Sequence, residues 1–291
     1  MLKLILVIAS LLVPSFVYAD RPNISPMEEI EQLLMLESIM DENDPDYIHI
    51  VDAISDRSGF LASRAKGDID YILVNIGSQR LDIIDDLELT SSQKVIVGRD
   101  SRRTPVFTDV IKYIVSRPYW NVPRSLAERD VLPKLRENPR DIERHGFEMV
   151  RVGTTEVVHP FDLNMDLRKY RIRQRPGKHN ALGDVKFMFD PHPKRAIYLH
   201  DTPSKYLFDT EVRRHSSGCI RVENPGMIEL FLMKDVDIKE SEQGDRWVRT
   251  PVETKVHIVD WPVYFHEGEL IITENNERRV FKLPTFAQYR F

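Results

Sequence analysis

The sequence predicts a mainly β domain with some α, of the α+β class, and three observations carry that reading. Short β-branched runs recur on either side of the middle of the chain, separated by Gly-Ser and acidic turns. Helical periodicity is confined to a few short stretches. Half of the 18 prolines fall between Asp100 and Lys194, which excludes long uninterrupted elements there. A chain of 291 residues with 42% hydrophobic and 30% charged side chains can bury one or two cores. Its net charge of −5, with both signs interspersed, excludes the basic surface that a nucleic-acid partner would favour.

Taken in order, Lys3 precedes an unbroken apolar run from Leu4 to Val13, followed by Val17-Tyr18-Ala19. This short basic region, an apolar stretch below the roughly 18 residues that span a bilayer, and a small residue at the cleavage position predict a signal peptide over residues 1–19. The mature chain is then exported, without stable membrane insertion. From Pro26 to Met40, Ile30, Leu33, Leu34, Leu36 and Ile39 fall near a helical period behind an acidic first turn, so an amphipathic helix is expected. With Asp41–Pro45 opening a spacer, residues 20–68 read as an N-terminal helical segment.

Strands centred on Ile72–Ile76, Leu81–Ile84 and Val95–Val97 describe an antiparallel meander. The Pro-rich stretch that follows predicts a folded but irregular insertion, with a short helix over Ser125–Arg136. Its apolar anchors Phe107, Tyr119, Trp120, Phe147, Phe161 and Tyr170 distinguish it from a linker and suit a lid. Beyond Asp184, VKFMF and AIYLH read as strands, PGMIELFLMK as a short helix, and TKVHIVDWPVYF and ELIITE as closing strands. Residues 267–291 form a C-terminal extension with no assigned role.

The chemistry concentrates between Ile197 and Val222, IYLHDTPSKYLFDTEVRRHSSGCIRV, which holds the single cysteine of the chain, Cys219. One cysteine cannot form an internal disulfide, so in an exported protein it is either a reactive thiol or a small buried hydrophobe. Ser-Ser-Gly before it and Ile-Arg-Val after it favour the reactive thiol. A thiol nucleophile needs a base and donors for the oxyanion. His200, at the end of an apolar run, and His215, close in sequence, are both candidate bases. The backbone amides of Ser217, Gly218 and Cys219 are candidate oxyanion donors, the glycine allowing close approach. Arg221 could hold a substrate carboxylate or sit in an ordinary ion pair. His159, His179, His192 and His200 lack the tight spacing of a metal site, so no metal is expected.

The stretch from His200 to Arg221 resembles the signature of the bacterial L,D-transpeptidases with a YkuD-type catalytic domain: a His, a spacer, then Ser/Thr-His-Gly-Cys, an apolar residue and Asn or Arg. The segments PYWNVPRSLAERDVLPKLRENP, NALGDVKFMF, LHDTPSKYLF and SSGCIRVENP resemble the long-loop, YcbB-type branch. Ser217 replaces the commoner His before Gly-Cys, which the resemblance reads as selecting His200 over His215.

The resemblance implies a β-sandwich-like catalytic domain over residues 69–266, with a capping lid at about 100–180. It makes Cys219 the nucleophile and His200 the base, oriented by the backbone carbonyl of Asp201. Arg221, Tyr198, Trp120 and Asn180, which lie in or beside the quoted motifs, are the substrate-binding candidates. The implied reaction forms 3→3 cross-links between diaminopimelate residues of peptidoglycan, through a thioester on a tetrapeptide donor with release of D-alanine. The implied location is the periplasm, the partners are stem peptides and other cell-wall enzymes, no cofactor is needed, and carbapenems would inhibit. Other acceptors (a protein lysine, a free D-amino acid or water) and a non-catalytic wall-binding module remain as alternatives.

Overall fold

The computed structural model describes residues 23–64, 68–189, 197–234, 245–274 and 277–281. The expected signal peptide at 1–19 lies outside them. These residues form two compact units. The first takes those up to Ser92, Val106–Thr108 and those from His257 onward; the second takes Gln93–Pro105 and those between Asp109 and Val256. As predicted, the secondary structure is mainly β with some α.

In the first unit, helix α1 (Pro26–Ile39) begins as its sequence demands. Ser25 and Glu28 form a reciprocal capping box, and Pro26 opens the first turn. A second helix follows, α2 (Tyr47–Ser63), where a spacer was expected. More than half of its residues are apolar, but only Ile50, Ala53 and Arg57 along it are buried, so its core-facing side is narrow. Leu33, Leu36, Ile50 and Ala53 from the two helices pack with Val263, Phe265, Leu270 and Ile272.

The last four of these residues lie on β14 (Val263–His266) and β15 (Glu269–Glu274), which form a three-stranded antiparallel sheet with β16 (Glu277–Phe281). The boundary drawn at 266–267 therefore falls inside a hairpin, and the first part of the expected extension is sheet. Strands β1 (Tyr71–Asn75) and β2 (Arg80–Asp85) pair antiparallel, as the meander reading required.

Arg57 is fully buried in this unit. Its Nε donates to Glu29 Oε2 at 2.5 Å, its Nη groups donate to the carbonyls of Ala53 and Val263, and its guanidinium lies 4.6 Å from the Trp261 ring. Arg80 also approaches Glu29, at 3.4 Å.

Among the described residues, all or the greater part of seven strands falls in the second unit, in the order β11 (Arg214–Ser216), β3 (Glu88–Gly98), β12 (Ile220–Val222), β10 (Leu199–His200), β9 (Val185–Met188), β4 (Phe107–Ser116) and β13 (Arg246–Val259). A separate four-stranded sheet, β5 (Trp120–Asn121), β8 (Tyr170–Gln174), β6 (Phe147–Arg151) and β7 (Val157–Val158), lies in the Pro-rich stretch. That stretch is more regular than expected. Its helical run, with a π turn at Ala127–Val131 between Arg124–Leu126 and Leu132–Glu137, and its sheet share a core of Val122, Val131, Leu132, Leu135, Met149 and Ile172. Prolines sit at helix starts and between elements, where their fixed φ costs nothing. Because β4 belongs to the main sheet, the separately folded insertion runs from Trp120 to Gln174, within the wider 100–180 window expected for a lid.

Removing one partner from a buried pair leaves an uncompensated charge, so Glu29→Ala should destabilise the protein by about 3–5 kcal/mol. Denaturant unfolding checks this, and a loss below about 1 kcal/mol would mean that water reaches Arg57.

Candidate active site

Strands β10 and β12 run parallel, with Leu199 opposite Ile220 and His200 opposite Arg221. Side chains alternate faces along a strand. Leu199 and Ile220, both fully buried, therefore take one face, while Tyr198, His200, Cys219 and Arg221 take the other. On the far side of β10, the antiparallel register sets Lys186 of β9 opposite His200. A single row across the sheet thus reads Lys186, His200, Arg221, with Cys219 one pleat back.

His200 is buried, and its Nδ1 lies 2.5 Å from the backbone carbonyl of Asp201. A carbonyl only accepts, so Nδ1 carries the proton and Nε2 is left as the acceptor. Asp201 is itself fixed. Its amide donates to Val185 O at 2.9 Å, its Oδ2 accepts from Asp184 N at 3.0 Å, and Lys205 Nζ lies 2.7 Å from its Oδ1. Gly183, at φ +61, makes room for it: a Cβ there would come within 2.2 Å of Asp201 Oδ2.

Electrostatics keep both His200 and Cys219 neutral near pH 7. Burial, then the Arg221 charge, push His200 down to about 3, with Lys186 adding to the effect. Burial pushes Cys219 up to about 11, opposed by hydrogen bonds from the Tyr198 backbone and side chain and by Arg221. The Tyr198 ring stands edge-on to His200, with centroids 5.7 Å apart. Lys186 is desolvated and lowered in turn, and its ammonium rests against the Trp247 and Tyr198 rings at 5.4 and 5.9 Å. Arg221 is lowered by burial, and its Nε has no hydrogen-bond partner among the described residues.

The turn before Cys219 is tightly braced. Ser216 Oγ donates to Cys219 O at 2.5 Å and accepts from Gly218 N at 3.0 Å. The Gly218 amide, expected in the oxyanion hole, is therefore committed inside the turn. Thr104 Oγ1 bridges Gly98 N and Gly218 O, both at 2.9 Å. Arg102 Nη1 reaches Ser217 Oγ at 2.9 Å.

One other expectation is corrected. Asn180 is buried and its amide is spent on backbone: Nδ2 donates to Pro118 O and Arg175 O at 2.9 Å, and Oδ1 accepts from Leu182 N at 2.8 Å. It shapes the loop and has no group left for a substrate. Trp120 is partly buried against the core of the Pro-rich insertion and pairs with Gln174. The rival base His215 is exposed, its Nε2 3.4 Å from Thr210 Oγ1. Sequence reasoning overlooked Arg99, Arg102, Thr104, Ser216 and Lys186. Only Lys186 carried a signal, as a cation inside the apolar run VKFMF.

Comparison with known proteins adds the following. A family model described as the YkuD L,D-transpeptidase catalytic domain matches residues 69–258. A curated protein of Haemophilus influenzae, named "Putative L,D-transpeptidase", is 37% identical over 222 residues. The match takes in 75% of this chain and 44% of that protein, so the chain spans less than half of that relative's length. Similar solved structures include an L,D-transpeptidase from Mycobacterium smegmatis (11% identity, 65% of this chain and 58% of that one, TM-score 0.33). The catalytic domain of the E. faecium L,D-transpeptidase is another (14% identity, 67% and 99%, TM-score 0.29).

The two shifts predict a pH window. His200 is depressed below its ordinary 6.5, so its contribution to stability is full above 6.5 and lost as pH falls toward about 3. Cys219 is raised above 9.0, so its contribution is full below 9.0 and lost as pH rises toward about 11. Alkylation of Cys219 by iodoacetamide should accordingly climb steadily from pH 7 to pH 10. An inflection below pH 7 would reveal a preformed thiolate–imidazolium pair instead.

Proposed function

The chain belongs to the YkuD family of L,D-transpeptidase catalytic domains, and from that premise we propose that it forms 3→3 cross-links in peptidoglycan with Cys219 as nucleophile and His200 as base. The observation that carries this reading is the fixed tautomer of His200. With Nδ1–H held by Asp201 O, the Nε2 lone pair is left on the face of the sheet that Cys219 shares. A neutral imidazole beside a neutral thiol can take the thiol proton as sulfur attacks, so no ion pair need exist beforehand.

In the proposed first step, Cys219 sulfur attacks the carbonyl that joins the L-centre of diaminopimelate to the terminal D-alanine of a tetrapeptide stem. The thiol proton passes to His200 Nε2. The amides of Ser217 and Cys219 stabilise the oxyanion, and the C–N bond breaks as His200 protonates the departing amine. D-Alanine leaves and a thioester remains. In the second step an amine of another stem gives its proton to His200 and attacks the thioester, and the sulfur takes the proton back. Each step exchanges one acyl bond for another, so the proposal requires neither nucleotide nor metal.

Arg221 and Tyr198 are proposed to face the donor. The guanidinium offers an unpaired Nε to a substrate carboxylate, and the phenol holds the sulfur until it reacts. Export by the signal peptide at 1–19 and work in the periplasm complete the proposal. No described helix is long and apolar enough to cross a membrane.

Three measurements test it. Incubation with a carbapenem should add one drug mass to the intact protein, and Cys219→Ala should abolish the adduct. Tetrapeptide muropeptides should yield 3→3 dimers with the native protein and none with Cys219→Ala. Dimers formed by that variant would overturn the assignment. Since the base must be neutral and His200 is depressed to about 3, the acylation rate should not fall between pH 8 and pH 5.

A further inference from the structure

Arg102 makes two connections that the reaction scheme does not use. Its Nη1 donates to Ser217 Oγ at 2.9 Å and to Asp130 Oδ2 at 2.6 Å, and its Nη2 reaches Asp130 Oδ1 at 3.4 Å. Ser217 lies two residues before the nucleophile. Asp130 lies on the capping subdomain, in the π turn Ala127–Val131.

Both ends of this link are anchored. Asp130 is flanked in its turn by Ala127 and Val131, whose side chains are buried in the core of the subdomain. Arg102 ends the tight turn Asp100–Arg102, which is bound to the nucleophile loop by Arg99 N and Nε, donating to Ser216 O at 3.1 and 3.3 Å. Gly98 lets that turn close: a Cβ there would meet Arg102 O at 2.2 Å and Thr104 N at 2.6 Å. The hydrogen bond from Arg102, with its charge, holds the Asp130 carboxyl below its ordinary range. The pair is neither dry nor freely solvated, with side-chain exposures of 18% and 32%. A lone ion pair in that setting would contribute little to stability, but a guanidinium shared between a carboxylate and a serine hydroxyl fixes geometry through directed bonds.

We infer that Asp130 and Arg102 are positioning residues that latch the capping subdomain to the nucleophile loop, so that the seating of the subdomain sets the orientation of Ser217–Cys219. Asp130 acts through Arg102, and Arg102 acts through the Ser217 hydroxyl; neither touches the reacting atoms. A π turn offers Asp130 a direction that a regular α-helical turn would not, because the extra residue rotates the following side chains about the axis. The inference rests on Cys219 being the acyl-transfer nucleophile, but its test does not depend on that reading alone.

Asp130→Asn keeps shape and removes charge, whereas Asp130→Glu keeps the charge. For Asp130→Asn, the rate of carbapenem acylation should fall about tenfold, mainly through the rate at saturation rather than through KM, with the melting temperature within about 2 °C of the native protein. Asp130→Glu should recover most of the rate, and Arg102→Lys, which loses the fork, should behave as Asp130→Asn.

A second readout is alkylation of Cys219, the sole cysteine, by iodoacetamide; the same variants should shift its rate as they shift acylation. Acylation and alkylation both within twofold of native for Asp130→Asn would overturn the latch. Equal losses in the Asn and Glu variants together with a large fall in melting temperature would show a merely structural pair, and would overturn it too. If native protein takes no carbapenem while alkylation still responds to Asp130→Asn, the acyl-transfer reading fails and the latch stands.

Discussion

The hydrogen bond from His200 Nδ1 to the carbonyl of Asp201 is the constraint on which the rest of the site depends. A backbone carbonyl orients the imidazole without bringing a second charge into a buried site, so it fixes the tautomer while leaving the ring neutral. A carbonyl adjacent in sequence could swing with its own peptide unit, and most of the local structure prevents that. Asp201 is held through its amide, both carboxylate oxygens and the close approach of Gly183. Lys205, four residues on, sets a positive charge against the same carboxylate, so the loop after β10 is locked by its own side chains.

The sheet supplies the second half of the site by register. A slip of one residue between β10 and β12 would turn Cys219 or His200 to the opposite face. The buried pair Leu199 and Ile220 makes such a slip expensive, because it would take one of them out of its apolar packing and put a polar side chain in its place. The same burial sets the electrostatics. Lys186 and Arg221, on either side of His200, make its protonated form costly, while desolvation makes the Cys219 thiolate costly. A neutral thiol beside a neutral base is the state in which three potential charges can share one row.

Much of this was legible in the residues. The α+β class, α1, the first hairpin and the strands around Cys219 follow from periodicity and turn chemistry, and the candidacy of Cys219 follows from its being alone in its context. The choice between His200 and His215 did not follow from spacing; it came from family resemblance. Hidden features share a cause: their partners are far apart in sequence. Arg99 and Arg102 meet Ser216 and Ser217 across more than a hundred positions. Asn180 looked available because an amide in a loop can face substrate or backbone alike, and only the fold shows that it faces backbone. Trp120 shows the same ambiguity for an aromatic, which serves a core or a binding surface equally well until its neighbours are known. Helix α2 was missed because its buried face is narrow and its stability comes from packing against α1, β14 and β15.

The raised pKa of Cys219 also bears on why a free thiol can persist in the compartment proposed for this chain. Oxidation and disulfide exchange proceed through the thiolate, so a thiol lifted to about 11 presents little reactive form near neutral pH. The same desolvation that slows adventitious chemistry leaves attack to depend on a base already in place, which couples deprotonation to the arrival of a carbonyl. Hydrogen bonds from Tyr198 oppose the desolvation without cancelling it, and so stabilise the sulfur as charge begins to form. Protection at rest then follows from a desolvated sulfur, and activation in the proposed acylation step from a base set on the same face of the sheet.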